Sequence, residues 1–222
     1  MNAKPSAPKP ADPAAAPVVL VIDDDASLRD ALDDLFNSVG LRTHIFGSTA
    51  EFLKGSLPDA PSCLVLDIRL PGQSGLDFQA QLTQSNINIP VIIMTGHGDI
   101  PMSVRAMKAG AIDFITKPFR DQDMLDAVTQ AIERDRQRRI SEKTLTDLRQ
   151  LFTSLTARER EIMTLVTTGL MNKQVAAEVG LSEITVKIHR GHVMKKMGAR
   201  SLADLVRMAE HLKLHATKAS SP

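Results

Sequence analysis

A run of apolar residues that ends in a single acid constrains the fold of this 222-residue chain more than any other feature. Cys63–Leu66 are apolar without interruption and lead directly into Asp67. Such a run is typical of a strand buried on both faces of a parallel sheet. Pro71, Gly72 and Gly75 then break the pattern, which indicates a turn. We therefore expect Asp67 at the carboxyl end of a buried strand, although Asp is also common in turns for conformational reasons alone.

The same unit, an apolar run followed by helical periodicity, recurs five times between residues 18 and 134. The pattern predicts strands at 18–22, 43–46, 63–66, 90–94 and 112–115, with helices at 28–39, 48–53, 76–82, 102–109 and 122–132. Five strand–helix units in succession predict an α/β doubly wound parallel sheet. In such sheets, ligands bind beyond the carboxyl ends of the strands.

That rule brings distant polar residues to one edge of the sheet. Asp23 and Asp24 follow the first strand, Asp67 ends the third, Thr95 ends the fourth and Lys117 follows the fifth. Three carboxylates would repel each other unless a cation lay among them, and carboxylate oxygens suit Mg²⁺. A hydroxyl and an ammonium suit a phosphoryl group. Asp67 is thus a candidate nucleophile in phosphoryl transfer, with Lys117 pairing with the product phosphate.

Each of these residues also has a plain structural explanation when taken alone. Asp25, or an acidic neighbour, could simply cap the first helix. Thr95 could be a turn residue before Gly96, and Lys117 a solvated surface lysine. The functional interpretation depends on all of them falling at strand ends in one array.

Residues 18–134 resemble the receiver domain of two-component response regulators. The phrases Met94–Met102 and Met107–Phe114 are similar to the FixJ-type branch of that family. The resemblance implies a sensor histidine kinase as phosphoryl donor and a Lys117–Pro118 peptide bond that is commonly cis. It also implies specific roles: phosphoacceptor, Asp67; Mg²⁺ ligands, Asp23, Asp24, Asp67 and the backbone carbonyl of Arg69; phosphate contact and switch, Thr95, Phe114 and Lys117.

The charge of the chain is divided unevenly. Residues 18–134 carry 16 acidic and 9 basic side chains, a net charge of −7, whereas residues 135–222 carry 9 acidic and 16 basic ones, a net charge of +7. The basic half is a candidate for contact with a phosphate backbone. Aromatic residues make up only 3% of the chain, which argues against a protein that stacks on single-stranded bases.

We predict a helical linker over residues 135–154, because the last receiver helix can continue through the charged run 133–139. We expect the charged side chains of this run to be solvated. An apolar stripe follows at Leu145, Leu148, Leu151, Phe152 and Leu155. We expect this stripe to pack on the next domain; pairing with a second chain is the alternative.

Residues 155–213 predict a four-helix domain that contains a helix-turn-helix. A capping box at Thr156–Glu159 opens its first helix, and Ser182 caps its third. On the third helix, His189 shares the inner face with Val186 and Val193, so we expect a half-buried core histidine rather than a ligand. The outward face combines apolar and basic residues, which suits a major groove. The candidate DNA contacts are Thr185, Lys187, Ile188, Gly191 and Lys195.

A small helical bundle that binds proteins is the alternative for this domain. Its phrases Leu155–Glu161 and Thr185–His189, however, resemble the output domain of LuxR-tailed regulators. Together the two resemblances imply a response regulator, not an enzyme, that dimerises when phosphorylated and binds double-stranded promoter DNA, with RNA polymerase as a further partner. A phosphorylation-independent DNA-binding protein with a dimerising receiver is the competing interpretation. A receiver that serves only as a phosphate sink is a second alternative, but such a protein would need no basic helix-turn-helix domain.

The remaining features concern location. Cys63 is the only cysteine, so no disulfide can form within the chain. We find no signal peptide and no apolar segment long enough for a membrane, and we expect a cytoplasmic protein without membrane contact. Residues 1–17, with five prolines, and residues 214–222 are expected to be disordered tails.

Overall fold

The computed structural model describes residues 16–96 and 100–214. The predicted disordered tails fall almost entirely outside these residues. The chain divides into two compact units, the first ending at Arg139 and the second beginning at Ile140. No helix among the described residues is long and apolar enough to cross a bilayer.

The first unit is a five-stranded parallel sheet with the strand order β2-β1-β3-β4-β5. This topology confirms the predicted doubly wound fold, and every predicted strand is present within one or two residues of its expected ends. Its elements are β1 (Val18–Ile22), α1 (Ala26–Ser38), β2 (Arg42–Phe46), α2 (Thr49–Lys54), β3 (Ser62–Asp67), α3 (Gly75–Gln84), β4 (Val91–Thr95), α4 (Ile100–Lys108), β5 (Asp113–Thr116) and α5 (Asp121–Thr153).

The three central strands, β1, β3 and β4, are buried along their whole length. Alternate residues of β1 face opposite sides of the sheet, as strand geometry requires. Val19 and Val21 pack into an apolar cluster with Phe36 of α1 and with α5. Leu20 and Ile22 pack into a second cluster on the other side. The two clusters hold the strand ends rigidly, and with them the polar edge of the sheet.

Helix α5 runs to Thr153, so the last receiver helix continues through the charged run into the linker, as predicted. The expectation that residues 133–139 are solvated was wrong at Asp135, which is only 1% exposed. Its carboxylate accepts the backbone N–H of Ser62 at 3.0 Å and ion pairs with Arg138 and Arg139. The buried Ser62 N–H at the start of β3 needs an acceptor, and Asp135 of the charged run provides it.

The second unit contains the end of α5 and the helices α6 (Ala157–Thr167), α7 (Asn172–Val179), α8 (Glu183–Met197) and α9 (Leu202–His211). Leu148 and Leu155 are buried against Met163 and Val193 in its core. The prediction that the apolar stripe packs on the next domain is therefore confirmed for Leu148, Phe152 and Leu155, whereas Leu151 is exposed. The Thr156 capping box is present, and α7 ends at Gly180 with a left-handed backbone conformation.

Candidate functional site

The carboxyl edge of the sheet brings together two acids and a lysine that are far apart in the sequence. Asp23 follows β1 directly, Asp67 is the last residue of β3, and Lys117 follows β5. The Lys117 Nζ lies 2.6 Å from Asp23 Oδ2 and 2.7 Å from Asp67 Oδ1. Both carboxylates are almost fully buried. The strand-end argument therefore correctly placed these three side chains at one edge.

The loop after β3 holds the second oxygen of Asp67. The backbone N–H of Arg69 donates a hydrogen bond to Asp67 Oδ2 at 2.7 Å. Gly75 then folds back so closely that a Cβ at this position would lie 2.3 Å from the carbonyl oxygen of Asp67. Only glycine fits at such a separation. Gly75, predicted to lie in the turn after β3, is instead the first residue of α3, and its close approach to Asp67 requires glycine.

The three consecutive acids after β1 divide between the site and the helix. Asp25 is the N-cap of α1, since its side chain accepts the backbone N–H groups of Ser27 and Leu28. Its plain structural explanation is therefore correct. Asp23 Oδ1 accepts the N–H of Asp25 at 2.9 Å, which leaves Oδ2 for Lys117. Asp24 lies between them and is exposed to solvent.

The electrostatics of the edge favour an additional cation. Burial raises the pKa of the Asp23 carboxyl, and this outweighs the opposing hydrogen bonds from Lys117 and the Asp25 N–H. Burial alone would lower the pKa of Lys117, but its hydrogen bonds to Asp23 and Asp67 raise it above the ordinary value. Two buried carboxylates, those of Asp23 and Asp67, share one ammonium group, and Asp24 follows Asp23 directly in the chain. This donor set fits Mg²⁺, which binds carboxylate and carbonyl oxygens.

The predicted switch residues lie on the neighbouring strands. Thr95 is the last residue of β4 and is fully buried, and its carbonyl accepts the N–H of Lys117 at 2.7 Å. Phe114 is half-buried in β5, where it pairs with Ile93 and packs against the cluster that includes Ala106 of α4. The Lys117–Pro118 peptide bond is cis, as the family resemblance implied.

In the second unit, α8 presents the predicted outward face to solvent. Ile188 is 54% exposed, and Lys187, Gly191 and Lys195 are exposed as well. Apart from the adjoining helix backbone, no atom of the described residues lies within 4 Å of a Cβ built on Gly191, so internal packing does not explain a glycine in this helix. Thr185 differs from the others, because it is half-buried.

Thr185 also takes part in the helix cap. Its hydroxyl lies 2.8 Å from the Ser182 hydroxyl, and its N–H donates to the same oxygen. His189 is half-buried, as its position on the inner face predicted.

Sequence reasoning missed the contacts that anchor α8. Lys196 Nζ lies 2.6 Å from Glu159 Oε2 on α6, and Arg190 donates to Asn172 on α7 at 3.0 Å. Lys196 follows His189 by seven residues, about two helical turns, so the helical period could have placed it near the inner face. Among the described residues, Lys187 and Lys195 form no ion pair and remain available to a partner.

Comparisons with known proteins cover both units. Residues 19–129 match the response regulator receiver domain, and residues 153–209 match the luxR family of bacterial regulatory proteins. The chain is 62% identical over 199 residues to Nodulation protein W of Bradyrhizobium diazoefficiens, covering 90% of this chain and 88% of that protein. It is 41% identical over 191 residues to the transcriptional regulatory protein FixJ of Azorhizobium caulinodans, covering 86% and 90% of the two chains.

Among solved structures, the chain resembles the response regulator StyR with a TM-score of 0.80 and 48% sequence identity. The match covers 88% of this chain and 99% of that one.

Proposed function

This chain belongs to the FixJ-type response regulators, in which a receiver domain precedes a LuxR-type DNA-binding domain, and on that basis we propose that a phosphoryl group on Asp67 controls its binding to promoter DNA. In this proposal a sensor histidine kinase is the donor, phosphorylation causes dimerisation, and the bound dimer acts on RNA polymerase. One observation carries the proposal: Lys117 bridges Asp23 and Asp67 at the carboxyl edge of the sheet.

Asp67 is the nucleophile in the transfer step. One of its carboxylate oxygens attacks the phosphorus of the donor's phosphohistidine. The phosphorus–oxygen bond forms as the phosphorus–nitrogen bond breaks, and the histidine nitrogen keeps the electron pair. Lys117 lies 2.7 Å from Asp67 Oδ1, so its ammonium group can move from the carboxylate onto the phosphoryl oxygens with a small rotation.

Mg²⁺ is the cation that we propose for this site, held by Asp23, Asp24, Asp67 and the backbone carbonyl of Arg69. When bound, it would neutralise charge on the phosphoryl group. The raised pKa of Asp23 supports a requirement for positive charge beyond that of Lys117. The hydrogen bond from the Arg69 N–H to Asp67 supports the backbone contact, because it fixes the loop that carries this carbonyl.

Thr95 and Phe114 carry the signal away from Asp67 in our proposal. Thr95 is at the end of β4, which pairs with the strand that ends in Asp67. A phosphoryl group on Asp67 can therefore draw the Thr95 hydroxyl toward it. Phe114 then turns into the space beside it and alters the surface formed by α4 and β5. Val104 and Met107 of α4 are 44% and 48% exposed. These apolar side chains support that surface as the dimer interface.

Helix α8 reads DNA in our proposal, with Ile188 against a thymine methyl group and Lys187 against a base edge. Lys195 contacts phosphate, and Gly191 allows a close approach of the backbone. Thr185 can supply a further contact through its hydroxyl, which also forms a hydrogen bond with the Ser182 hydroxyl of the helix cap. This assignment is supported by the exposure of Ile188 and of the two lysines, neither of which forms an ion pair within the described part of the chain.

The chemistry is tested by labelling the full chain with a small phosphodonor. We expect labelling to require Mg²⁺ and to be absent in Asp67→Asn, while Asp24→Asn should weaken the response to Mg²⁺. Asp25→Asn is the matched control, because asparagine caps a helix as well as aspartate does. It should label like the wild type. Full labelling of Asp67→Asn would refute the assignment of the phosphoacceptor.

Dimerisation is tested separately by sedimentation of the chain with and without the phosphodonor. We expect the mass to shift toward a dimer on phosphorylation, and the shift to be absent in Asp67→Asn. An unchanged mass would contradict the dimerisation step without affecting the labelling result. A dimer that forms equally without phosphate would favour the phosphorylation-independent alternative.

A further inference from the structure

Three potential metal ligands lie together in the second unit. Glu159 comes from α6, and His189 and His192 come from α8. One ligand atom from each lies within 4.8 Å of the other two. Two imidazoles and one carboxylate are a donor set that Zn²⁺ commonly takes in proteins. The receiver chemistry uses none of these residues, and they lie outside the proposed DNA-reading face.

The Glu159 carboxylate has one oxygen occupied and one available. Oε2 accepts hydrogen bonds from Lys196 at 2.6 Å and from the Thr156 N–H at 2.8 Å. These contacts lower the pKa of Glu159 to about 2, so the group is ionised at neutral pH. Oε1 faces His192 Nδ1 at 3.8 Å, which is too long for a hydrogen bond.

The spacing is close to what a shared cation would impose. Bonds of about 2.0–2.2 Å in tetrahedral geometry place two ligand atoms about 3.4 Å apart, slightly less than the observed oxygen–nitrogen distance. The remaining gaps can close by rotation of the imidazoles. His192 has 59% of its side chain exposed. His189 Nδ1 is buried without a hydrogen-bond partner, so moving this ring breaks no bond at that atom.

We propose that Glu159, His189 and His192 bind Zn²⁺ in the DNA-binding domain, with water completing the coordination. Three protein ligands and an open position favour an exchangeable ion over a permanent structural one. The positive charge of Lys196, which contacts the same carboxylate, repels the ion. We therefore expect a moderate affinity. The apolar clusters of this unit do not include the three ligands, so we expect the domain to fold without the ion. A bound ion would tie α6 to α8.

The test is calorimetric titration of Zn²⁺ into the full chain in excess Mg²⁺, which occupies the carboxylates of the receiver. We expect one Zn²⁺ to bind. His192→Ala should weaken binding at least about tenfold, since even outer-shell changes cost about 10- to 100-fold in affinity. His211→Ala removes an exposed histidine of α9 outside the cluster and should bind Zn²⁺ like the wild type. Equal affinities for the wild type and His192→Ala would overturn the proposal.

A second variant and a spectroscopic signal guard against indirect effects. Glu159→Gln keeps a capping side chain but removes the ligand charge, and it should also weaken Zn²⁺ binding. Co²⁺ substituted for Zn²⁺ should give the visible absorption of a four-coordinate nitrogen and oxygen site, and His192→Ala should abolish it. Circular dichroism checks that each variant is folded. Absence of Zn²⁺ binding by the wild type, or weakening by His211→Ala equal to that by His192→Ala, would refute the site.

Discussion

Replacing Asp135 by alanine should destabilise the receiver domain far more than changes to the exposed charges around it. The carboxylate is buried, yet it belongs to a helix whose sequence there is almost entirely charged. It accepts the Ser62 N–H at 3.0 Å and pairs with Arg138 at 2.6 Å and Arg139 at 2.8 Å. The same guanidinium group of Arg139 reaches the carbonyl of Pro58. This cluster fastens α5 to the start of β3.

The cost can be estimated from these contacts. Truncation leaves the Ser62 N–H buried without an acceptor, which costs about 1–3 kcal/mol. The two arginine pairs are partly solvated, with about a third of each arginine side chain exposed, so each contributes only about 0.5–1 kcal/mol. The free energy of unfolding should therefore fall by about 3 kcal/mol. This corresponds to a roughly 100-fold larger unfolded population.

Cys63 provides the assay. It is the only cysteine, it is fully buried beside Ser62, and burial raises the pKa of its thiol. A thiol reagent therefore reaches it through unfolding, which can be recognised by a steep dependence of the labelling rate on denaturant. The chain has no Trp or Tyr, so intrinsic fluorescence is a poor substitute. Asp135→Ala should be labelled roughly 100-fold faster than the wild type in the absence of denaturant.

Arg136→Ala is the matched control, one residue away on the same helix. Its pair with Glu133 is solvent-exposed, so its loss should change the free energy of unfolding by no more than about 0.5 kcal/mol, roughly twofold in rate. If Asp135→Ala is labelled at the rate of the wild type, the buried cluster does not stabilise the domain. If both variants accelerate labelling equally, burial is not the cause.

Gly75→Ala should reduce phosphodonor labelling of Asp67 and destabilise the receiver in thermal unfolding, because the added Cβ meets a backbone oxygen at 2.3 Å. Glu159 has its pKa lowered from 4.5 to about 2, so its stabilisation is complete above pH 4.5 and is lost as the pH falls toward 2; Glu159→Gln should show a smaller loss of stability over that range by circular dichroism. Ile188→Ala should lose about 1–3 kcal/mol of discrimination at one base pair, whereas Lys195→Ala should weaken all sequences and flatten the salt dependence in fluorescence anisotropy.

The sheet and its polar edge could be predicted because they follow from short-range patterns. Uninterrupted apolar runs identify buried parallel strands, and a parallel sheet places every carboxyl end on one edge. The proximity of Asp23, Asp67 and Lys117 could therefore be predicted from the strand pattern alone. The output helices were equally readable, since Thr156 and Ser182 cap them and glycines end two of them.

The missed contacts join residues whose partners no local pattern identifies. Asp135 lies in a run that reads as solvated, and its partner Ser62 is 73 residues away. Glu159 reads as a capping residue, which it is, but its other contact is to Lys196, 37 residues later. In both cases one buried acid satisfies a local and a distant donor together. Composition and periodicity report the local role only.

Lys117 shows why the proposed switch needs no extended pathway between Asp67 and Thr95. Its ammonium group contacts the Asp67 carboxylate, and its backbone N–H is bonded to the Thr95 carbonyl at 2.7 Å. A phosphoryl group on Asp67 changes the charge that this ammonium group faces, so any shift of Lys117 acts directly on the end of β4. Phe114 lies three residues earlier in the chain, within β5. In the proposed switch, the same short segment would both sense the phosphate and carry the side chain that alters the outer surface.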